Sequence, residues 1–214
     1  AKVNIVELSV IALIIGIVLF NLIAYLLDFL KEINVAADRM KLLRDDLLDL
    51  SRFDTRVNKF NKERTDLVEI ARGCIRQNKV VAEGREQKIV FDDPLIPMYI
   101  YADVARVNQV ITNIISNAMK YSDKGSVIKI SMGATRSVYM LSISDNGIGM
   151  PPEALDRIFD RFYRVDKARS RSMGGNGLGL SIAKEIMDAH SGSIDVVSQL
   201  GQGTTMVLKF PKVK

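Results

Sequence analysis

Four short stretches hold residue types that could act together. In Ser144-Asp145-Asn146-Gly147-Ile148-Gly149-Met150, the alternating apolar run Val138 to Ile143 delivers one carboxylate into a turn with two glycines. A carboxylate only accepts hydrogen bonds, so Asp145 suits an exocyclic amine such as that of adenine. Gly147 and Gly149 remove the Cβ atoms that would block a flat ring. In a second stretch, Asn113, Asn117, Lys120 and Tyr121 recur at helical spacing. Asparagine is a poor mid-helix residue, so something other than helix stability accounts for the pair. Its side-chain carbonyl is also a charge-free oxygen ligand for magnesium, which takes few ligands from protein and the rest from water and phosphate. A third stretch, Gly174-Gly175-Asn176-Gly177-Leu178-Gly179, opens a helical pattern over 180–189 and offers backbone N–H groups to an anion at a helix start. The fourth is the basic cluster Arg161, Arg164, Lys167, Arg169 and Arg171.

Singly, each has a plainer explanation. Asp-Asn-Gly is more often just a turn, an exposed polar helix face explains Lys120 equally well, and Arg169 and Arg171 could lie in a solvated loop. The glycine run lacks the terminal Lys-Ser/Thr of a P-loop and is not preceded by a strand, so neither a Walker NTPase nor a dinucleotide fold is supported.

The elements that would position these residues follow from periodicity. Residues 103–121 read as a helix with Val107, Ile111, Ile114 and Ala118 on its apolar face. Residues 66–81 read as another helix, and 88–91 and 98–101 as short strands separated by Pro94 and Pro97. Residues 126–132 and 138–145 form a hairpin, with later strands at 194–197 and 205–210. Residues 55–65, rich in Asn, Lys and Arg, read as a linker. The expected fold is α/β, a two-layer sandwich of one mixed sheet covered by helices on one face.

Upstream, residues 8–27 hold no charged side chain, and at helical rise they span about 30 Å, the thickness of a bilayer core. They read as a transmembrane helix within residues 1–30; Gly16 and Asn21 leave open a buried helix of a soluble bundle. Lys31, Arg39, Lys41 and Arg44 follow the run and only Lys2 precedes it, which puts the C-terminal side in the cytoplasm. The run is long and lacks a small-residue cleavage site, against a cleaved signal peptide. Ile33, Ala36, Met40, Leu43, Leu47 and Leu50 then recur at alternating steps of three and four, the seam of a dimerising helix over 31–57. Of the 214 residues, 58–214 are enough for one domain with a sizeable core. The net charge of +5 is spread along the chain, and its one dense basic cluster is too local for general nucleic-acid binding; a polyphosphate fits it better. A single cysteine, Cys74, excludes an internal disulfide framework and fits a reducing compartment.

Together, residues 113–122, 145–149, 158–164, 175–180 and 201–205 resemble, in that order, the N, G1, F, G2 and G3 boxes of sensor histidine kinases. Residues 161–171 look most like the WalK/VicK-like branch. The resemblance implies the Bergerat (GHKL) ATP-binding fold behind a helical arm, with ATP and Mg2+ as cofactors. It implies that Asn117 holds the metal, with Asn113 in the same site, and that Lys120 and Tyr121 contact phosphates. Asp145, Gly147 and Gly149 would bind the base, and Thr204 would also bind the cofactor. Phe159 and Phe162 would anchor one end of a lid hinged by Gly175, Gly177, Leu178 and Gly179, with Arg164 on the γ-phosphate. Phosphoryl transfer needs charge neutralisation more than covalent help, so Arg164 and Lys120 are the catalytic candidates. The implied reaction moves the γ-phosphate to a histidine on a dimerisation hairpin and thence to a response regulator, in a membrane-bound homodimer. The arm matches the second helix of that hairpin, and the phosphoacceptor helix is expected to be missing, because the chain's one histidine is His190. His190 reads as a structural residue favoured by the dipole at a helix C-terminus. The acceptor histidine would then come from another chain, and self-phosphorylation is doubtful. Two rivals stay open: a membrane scaffold that binds nucleotide without catalysis, and an ATPase or serine kinase of the same fold.

Overall fold

The computed structural model describes residues 5–54, 60–165 and 176–213. The chain divides into two compact units, residues 1–47 and 48–214. Helix α1 runs Ile5–Asp54, so the apolar run and the heptad seam belong to one continuous helix. Among the described residues it is the one helix long and apolar enough to cross a membrane. Its mid-run Asn21 donates from Nδ2 to the Ile17 carbonyl at 2.8 Å, so its amide is satisfied by its own helix and does not oppose an apolar surrounding. Ile33, Met40, Leu43 and Leu47 are all exposed in the single chain.

In the second unit the elements are β1 (Glu63–Asp66), α2 (Leu67–Gly84), β2 (Lys88–Asp92), β3 (Tyr99–Ala102), α3 (Val104–Lys120), β4 (Val127–Ala134), β5 (Val138–Asp145), α4 (Pro152–Leu155), α5 (Gly179–Ala189), β6 (Ser193–Gln199) and β7 (Gly203–Pro211). The five-stranded sheet has the order β2-β4-β5-β7-β6, with β2 and β4 parallel and the other pairs antiparallel. Alternation decides its buried face: Ile128 and Ile130, Leu141 and Ile143, and Met206, Leu208 and Phe210 are buried. Against them pack Val107, Ile111, Ile114 and Ile115 of α3, Leu67 and Ala71 of α2, and Ile182 and Ile186 of α5. This is the expected α/β architecture. The region read as a linker departs from it, because its end forms β1, which pairs antiparallel with β3 in a separate two-stranded sheet. Four polar residues, Glu-Arg-Thr-Asp, carry no strand pattern, so only the pairing makes them a strand.

The start of α3 is heavily tied. Asp103 caps it by accepting from the Arg106 N–H and also accepts from the Asn61 N–H at 3.0 Å. Arg106 pairs with Asp49 at 2.6 Å, while Leu50, in the last turns of α1, is 4% exposed. His190 closes this corner. The Asp103 N–H donates to His190 Nε2 at 3.0 Å, so Nε2 carries no proton and the Nδ1 proton goes to the Ile186 carbonyl at 2.7 Å. Phe60 meets the imidazole edge-on, with centroids 5.3 Å apart. His190 is structural, as expected, but the dipole argument fails for it. At 5% exposure, burial outweighs the dipole and pushes its pKa below 6.5, with Lys62 adding to the effect and the Ile186 carbonyl and Asp103 opposing it.

Folding therefore favours the neutral ring, and this contribution is fully present above about pH 6.5 and is lost as pH falls through that value toward the lower folded pKa. His190→Leu should cost on the order of 2 kcal/mol near neutral pH, by leaving the buried Asp103 N–H unpaired and removing one of the two donors to the Ile186 carbonyl. It should also flatten the loss of stability between about pH 7.5 and 5, as read by urea unfolding at each pH.

Candidate functional site

Asp145 ends β5 and faces Thr204 of β7 across the ladder. Its Oδ1 accepts from the Gly147 N–H at 2.9 Å and the Thr204 N–H at 3.2 Å. Among the described residues its Oδ2 accepts nothing. Burial pushes the carboxyl pKa up from 3.8, opposed by those two N–H groups. Asp145 is thus a half-buried acceptor with one oxygen committed to the backbone and one left over.

The two glycines after it act differently from the expectation. A Cβ on Gly147 would lie 2.3 Å from the Tyr121 carbonyl oxygen, and one on Gly149, at φ +63°, 1.9 Å from the Gln199 carbonyl oxygen. The space a Cβ would take at each is filled by neighbouring backbone. The loop is pinched between the end of α3, where the Ile148 N–H reaches the Tyr121 carbonyl at 3.1 Å, and the β6–β7 turn, where the Gly201 N–H reaches the Ile148 carbonyl at 2.7 Å.

Helix α3 carries Asn113, Asn117 and Lys120, and its C-cap Tyr121 is the residue that meets this loop. Asn117 is half-buried, and its side-chain amide makes no hydrogen bond among the described residues. Asn113 Nδ2 is buried without a partner there. Asn113 lies against the first residue of α5: a Cβ on Gly179 would meet its Oδ1 at 2.4 Å. No side chain caps that helix start, so its first N–H groups keep the positive end of the dipole open to an anion. Lys120 Nζ lies 5.3 Å from the Tyr121 ring centroid.

Between α4 and α5, the Phe162 N–H donates to the Gly177 carbonyl at 2.9 Å. Phe162 has φ +62° and Gly177 φ +76°. They form a neck that brings the two ends of the intervening segment together. Phe159 packs against the core as expected, whereas Phe162 is 58% exposed and anchors the neck through its backbone. A left-handed backbone at a non-glycine aromatic residue is strained, as happens where surrounding structure imposes it. Arg164, just beyond, has Nη2 buried without a partner among the described residues. Leu178 is fully buried, so its side chain serves the core and only its backbone can face a ligand. Gly174 and Gly175, with Lys167, Arg169 and Arg171, lie outside the described residues.

Tertiary structure adds three residues that carry no motif signal of their own. Gln87, 4% exposed, donates from Nε2 to the carbonyls of Met119, Ser122 and Asp123 at 2.9, 2.9 and 3.1 Å, so the residue just before β2 holds the end of α3. Ser122 Oγ is buried without a partner among the described residues, next to Gly147. Ser198 joins the Met150 N–H to Gly203 and Thr204; the spacing Ser198-x-x-Gly201-x-Gly203-Thr204 was its one available cue.

No group of three His, Cys, Asp or Glu side chains that could hold a metal occurs among the described residues. A hard cation here would depend on Asn oxygens, water and the ligand's own phosphates, which is how magnesium binds. The unmatched Asp145 Oδ2, Asn113 Nδ2 and Arg164 Nη2 fit a ligand with an amino group and anionic oxygens.

The sequence model of the family described as "Histidine kinase-, DNA gyrase B-, and HSP90-like ATPase" matches residues 102–214. The chain is 40% identical over 185 residues to the sensor histidine kinase WalK of Bacillus subtilis (strain 168), covering 86% of this chain and 30% of that protein. It is 40% identical over 186 residues to the sensor protein kinase WalK of Staphylococcus aureus, covering 86% of this chain and 44% of that one. It therefore spans less than half the length of these relatives. Among solved structures it is similar to the Acinetobacter baumannii histidine kinase AdeS, with a TM-score of 0.66 at 25% identity over 81% of this chain and 79% of that one. It is also similar to full-length ShkA in complex with AMPPNP, with a TM-score of 0.67 at 25% identity over 79% of this chain and 35% of that one.

Gly149→Ala must adopt a left-handed backbone and displace the Gln199 carbonyl, and should cost at least ~3 kcal/mol in denaturant unfolding. Gly201→Ala, at φ +76° with open space around its Cβ, should cost only about 1–2 kcal/mol.

Proposed function

Because the chain belongs to the histidine kinase-, DNA gyrase B- and HSP90-like ATPase family, we propose that residues 58–214 bind ATP and act as the catalytic domain of a sensor histidine kinase. The observation that carries this reading is the pair of unmatched poles in the site: among the described residues Asp145 accepts only at Oδ1, and the buried Arg164 Nη2 has no acceptor. An adenine amine answers the first and a γ-phosphate oxygen the second. Asp145, Gly147, Gly149 and Thr204 hold the base. Tyr121, Gly175, Gly177, Leu178 and Gly179 frame the phosphates, chiefly through backbone N–H groups, and Phe159 fixes the segment that leads to Arg164. Asn117 would hold Mg2+, with Asn113 beside it, and the ion would neutralise phosphate charge. Arg164 and Lys120 stabilise the charge spread over the γ-phosphoryl oxygens as it leaves ADP for an imidazole nitrogen.

The acceptor imidazole is supplied by a histidine-bearing hairpin of another chain, and a response regulator receives the phosphate in turn. In support, His190 has both ring nitrogens engaged and is almost wholly buried, so it cannot take the phosphate without opening the corner between α3 and α5. The same reading makes α1 a membrane anchor with the nucleotide unit in the cytoplasm, consistent with its uncharged run and the basic residues that follow. Its exposed seam pairs with a second copy.

The test is acid-labile label from γ-labelled ATP, with a purified histidine-bearing hairpin added or omitted. Label should reach the hairpin and not this chain. Label on this chain, removed by His190→Gln, would overturn the structural role of His190; no label on the hairpin would favour a non-catalytic nucleotide-binding scaffold. Asp145→Asn should weaken ATP binding by about 1–3 kcal/mol in calorimetry, and equal affinities would refute the base-binding role. For the dimer, Leu43→Cys in a Cys74→Ser background should cross-link in membranes. Failure at positions 40, 43 and 47 alike, with 42 and 46 as outward controls, would argue for a monomer.

A further inference from the structure

Gln87 stands just before β2 and is almost wholly buried. Its Nε2 faces three carbonyl oxygens, those of Met119, Ser122 and Asp123, while its Oε1 is buried without a partner among the described residues. Carbonyls only accept, so the amide nitrogen must face them, and its N–H groups are shared among all three. A side chain that only filled this space could be apolar and would bury no unpaired oxygen, so what Gln87 contributes is donation. Two of these carbonyls have a second, longer donor: Arg85 Nη1 reaches Met119 at 3.4 Å, and the Ser126 N–H reaches Asp123 at 3.3 Å. Backbone bonds from the Gly125 N–H to the Glu86 carbonyl and from the Lys88 N–H to the Ser126 carbonyl hold the far side of the turn. Gln87 holds its near side, where α3 ends and its last carbonyls have no partners within the helix.

The loop after Asp145 rests on that near side. The Ile148 N–H donates to the Tyr121 carbonyl at 3.1 Å, and a Cβ on Gly147 would lie 2.3 Å from the same oxygen. One carbonyl is thus both bonded to the loop and packed against it, so a shift of the end of α3 must move the loop as well. Strands β2 and β5 belong to one sheet, each beside β4. The end of α3 is tied to that sheet from two sides, by Gln87 ahead of β2 and by Ile148 after β5. We propose that Gln87 is a positioning residue for nucleotide binding: by holding the end of α3 it fixes the Tyr121 carbonyl against which the Asp145 loop is set. The proposal rests on the reading of Asp145 as the carboxylate that takes the base and adds the residue that keeps its loop in place. Its effect passes through backbone, and it counts because a hydrogen bond from Asp145 weakens steeply once distance or angle drifts.

The experiment uses the full chain in detergent and measures ATP affinity by calorimetry, together with the melting temperature, for wild type, Gln87→Met, Asp145→Asn and the double variant. Methionine keeps the length of the side chain and removes both donors. Ile128→Val, a change to a fully buried residue of β4, is the control for lost stability alone. Gln87→Met should weaken ATP binding about three- to tenfold, the equivalent of one hydrogen bond, whereas Ile128→Val should lower the melting temperature and leave affinity unchanged. In the Asp145→Asn background the Gln87 substitution should change affinity by less than about twofold, because the group it positions is already gone. Amide exchange at Ile148 should also quicken in Gln87→Met, while the β4–β5 ladder stays protected. A lower melting temperature with unchanged ATP affinity would make Gln87 merely structural and overturn the proposal. So would unchanged exchange at Ile148, or an equal loss of affinity with and without Asp145. Gln87→Asn, whose amide stops one methylene short of the three carbonyls, serves as the same test if Gln87→Met does not fold. Absence of ATP binding by the wild-type chain would overturn the nucleotide reading and this proposal together, whereas ATP binding that Gln87 does not affect would overturn this proposal alone.

Discussion

The structure of the site depends on how one carboxylate is held. Asp145 Oδ1 takes N–H groups from the loop after it and from the strand beside it, and that leaves Oδ2 directed but unused. The arrangement needs three backbones to approach one another closely: the loop at Gly147, the end of α3 at Tyr121 and the β6–β7 turn at Gln199. Any Cβ at Gly147, Gly149 or Gly203 would separate them, since each would sit within 2.5 Å of a carbonyl oxygen. Glycine here acts as a spacing constraint between backbones.

Helix α3 is fixed at both ends by groups from elsewhere in the chain, which is why its polar face can be aimed. Asp103, His190 and the Arg106–Asp49 pair hold its start, and Gln87 holds its last carbonyls. His190 also ends α5, so the helix that begins at the glycine-rich stretch and the helix that carries the asparagines share one corner. Their other meeting point is Gly179 against Asn113. The hydrogen bond at the shared corner constrains the helix pair more firmly than packing of apolar faces alone, because a hydrogen bond is directional and a methyl contact is not.

The neck at Phe162 and Gly177 shows a different balance. Both residues sit in the left-handed region and one is aromatic and exposed, so side-chain burial does not stabilise the conformation. What does is the Phe162 N–H to the Gly177 carbonyl, the Arg161–Glu185 pair at 3.6 Å and the Arg157 guanidinium 4.5 Å from the Tyr163 ring centroid. The neck leads to Arg164, whose buried Nη2 has no partner among the described residues.

The sequence by itself determined the elements and the chemistry they could carry. The apolar face of α3, the alternation of β4, β5 and β7, the uncharged run of α1 and the order of the five boxes are all local patterns, and local periodicity suffices to read them. The positions of Asn113, Asn117 and Asp145 were therefore legible before any coordinates. Tertiary structure alone decided what those positions touch. The strand at Glu63–Asp66 exists because β3 pairs with it, since its own residues show no alternation. The His190 pKa is lowered chiefly by burial, in a corner where the N–H of Asp103, 87 residues away, meets Nε2. Phe162 fails as a side-chain anchor because its backbone takes the left-handed region, which residue type does not announce. The glycines of the Asp145 loop meet carbonyl oxygens supplied by α3 and the β6–β7 turn. Contacts between residues far apart in sequence leave no period to read, and hydrogen-bond direction depends on every partner at once.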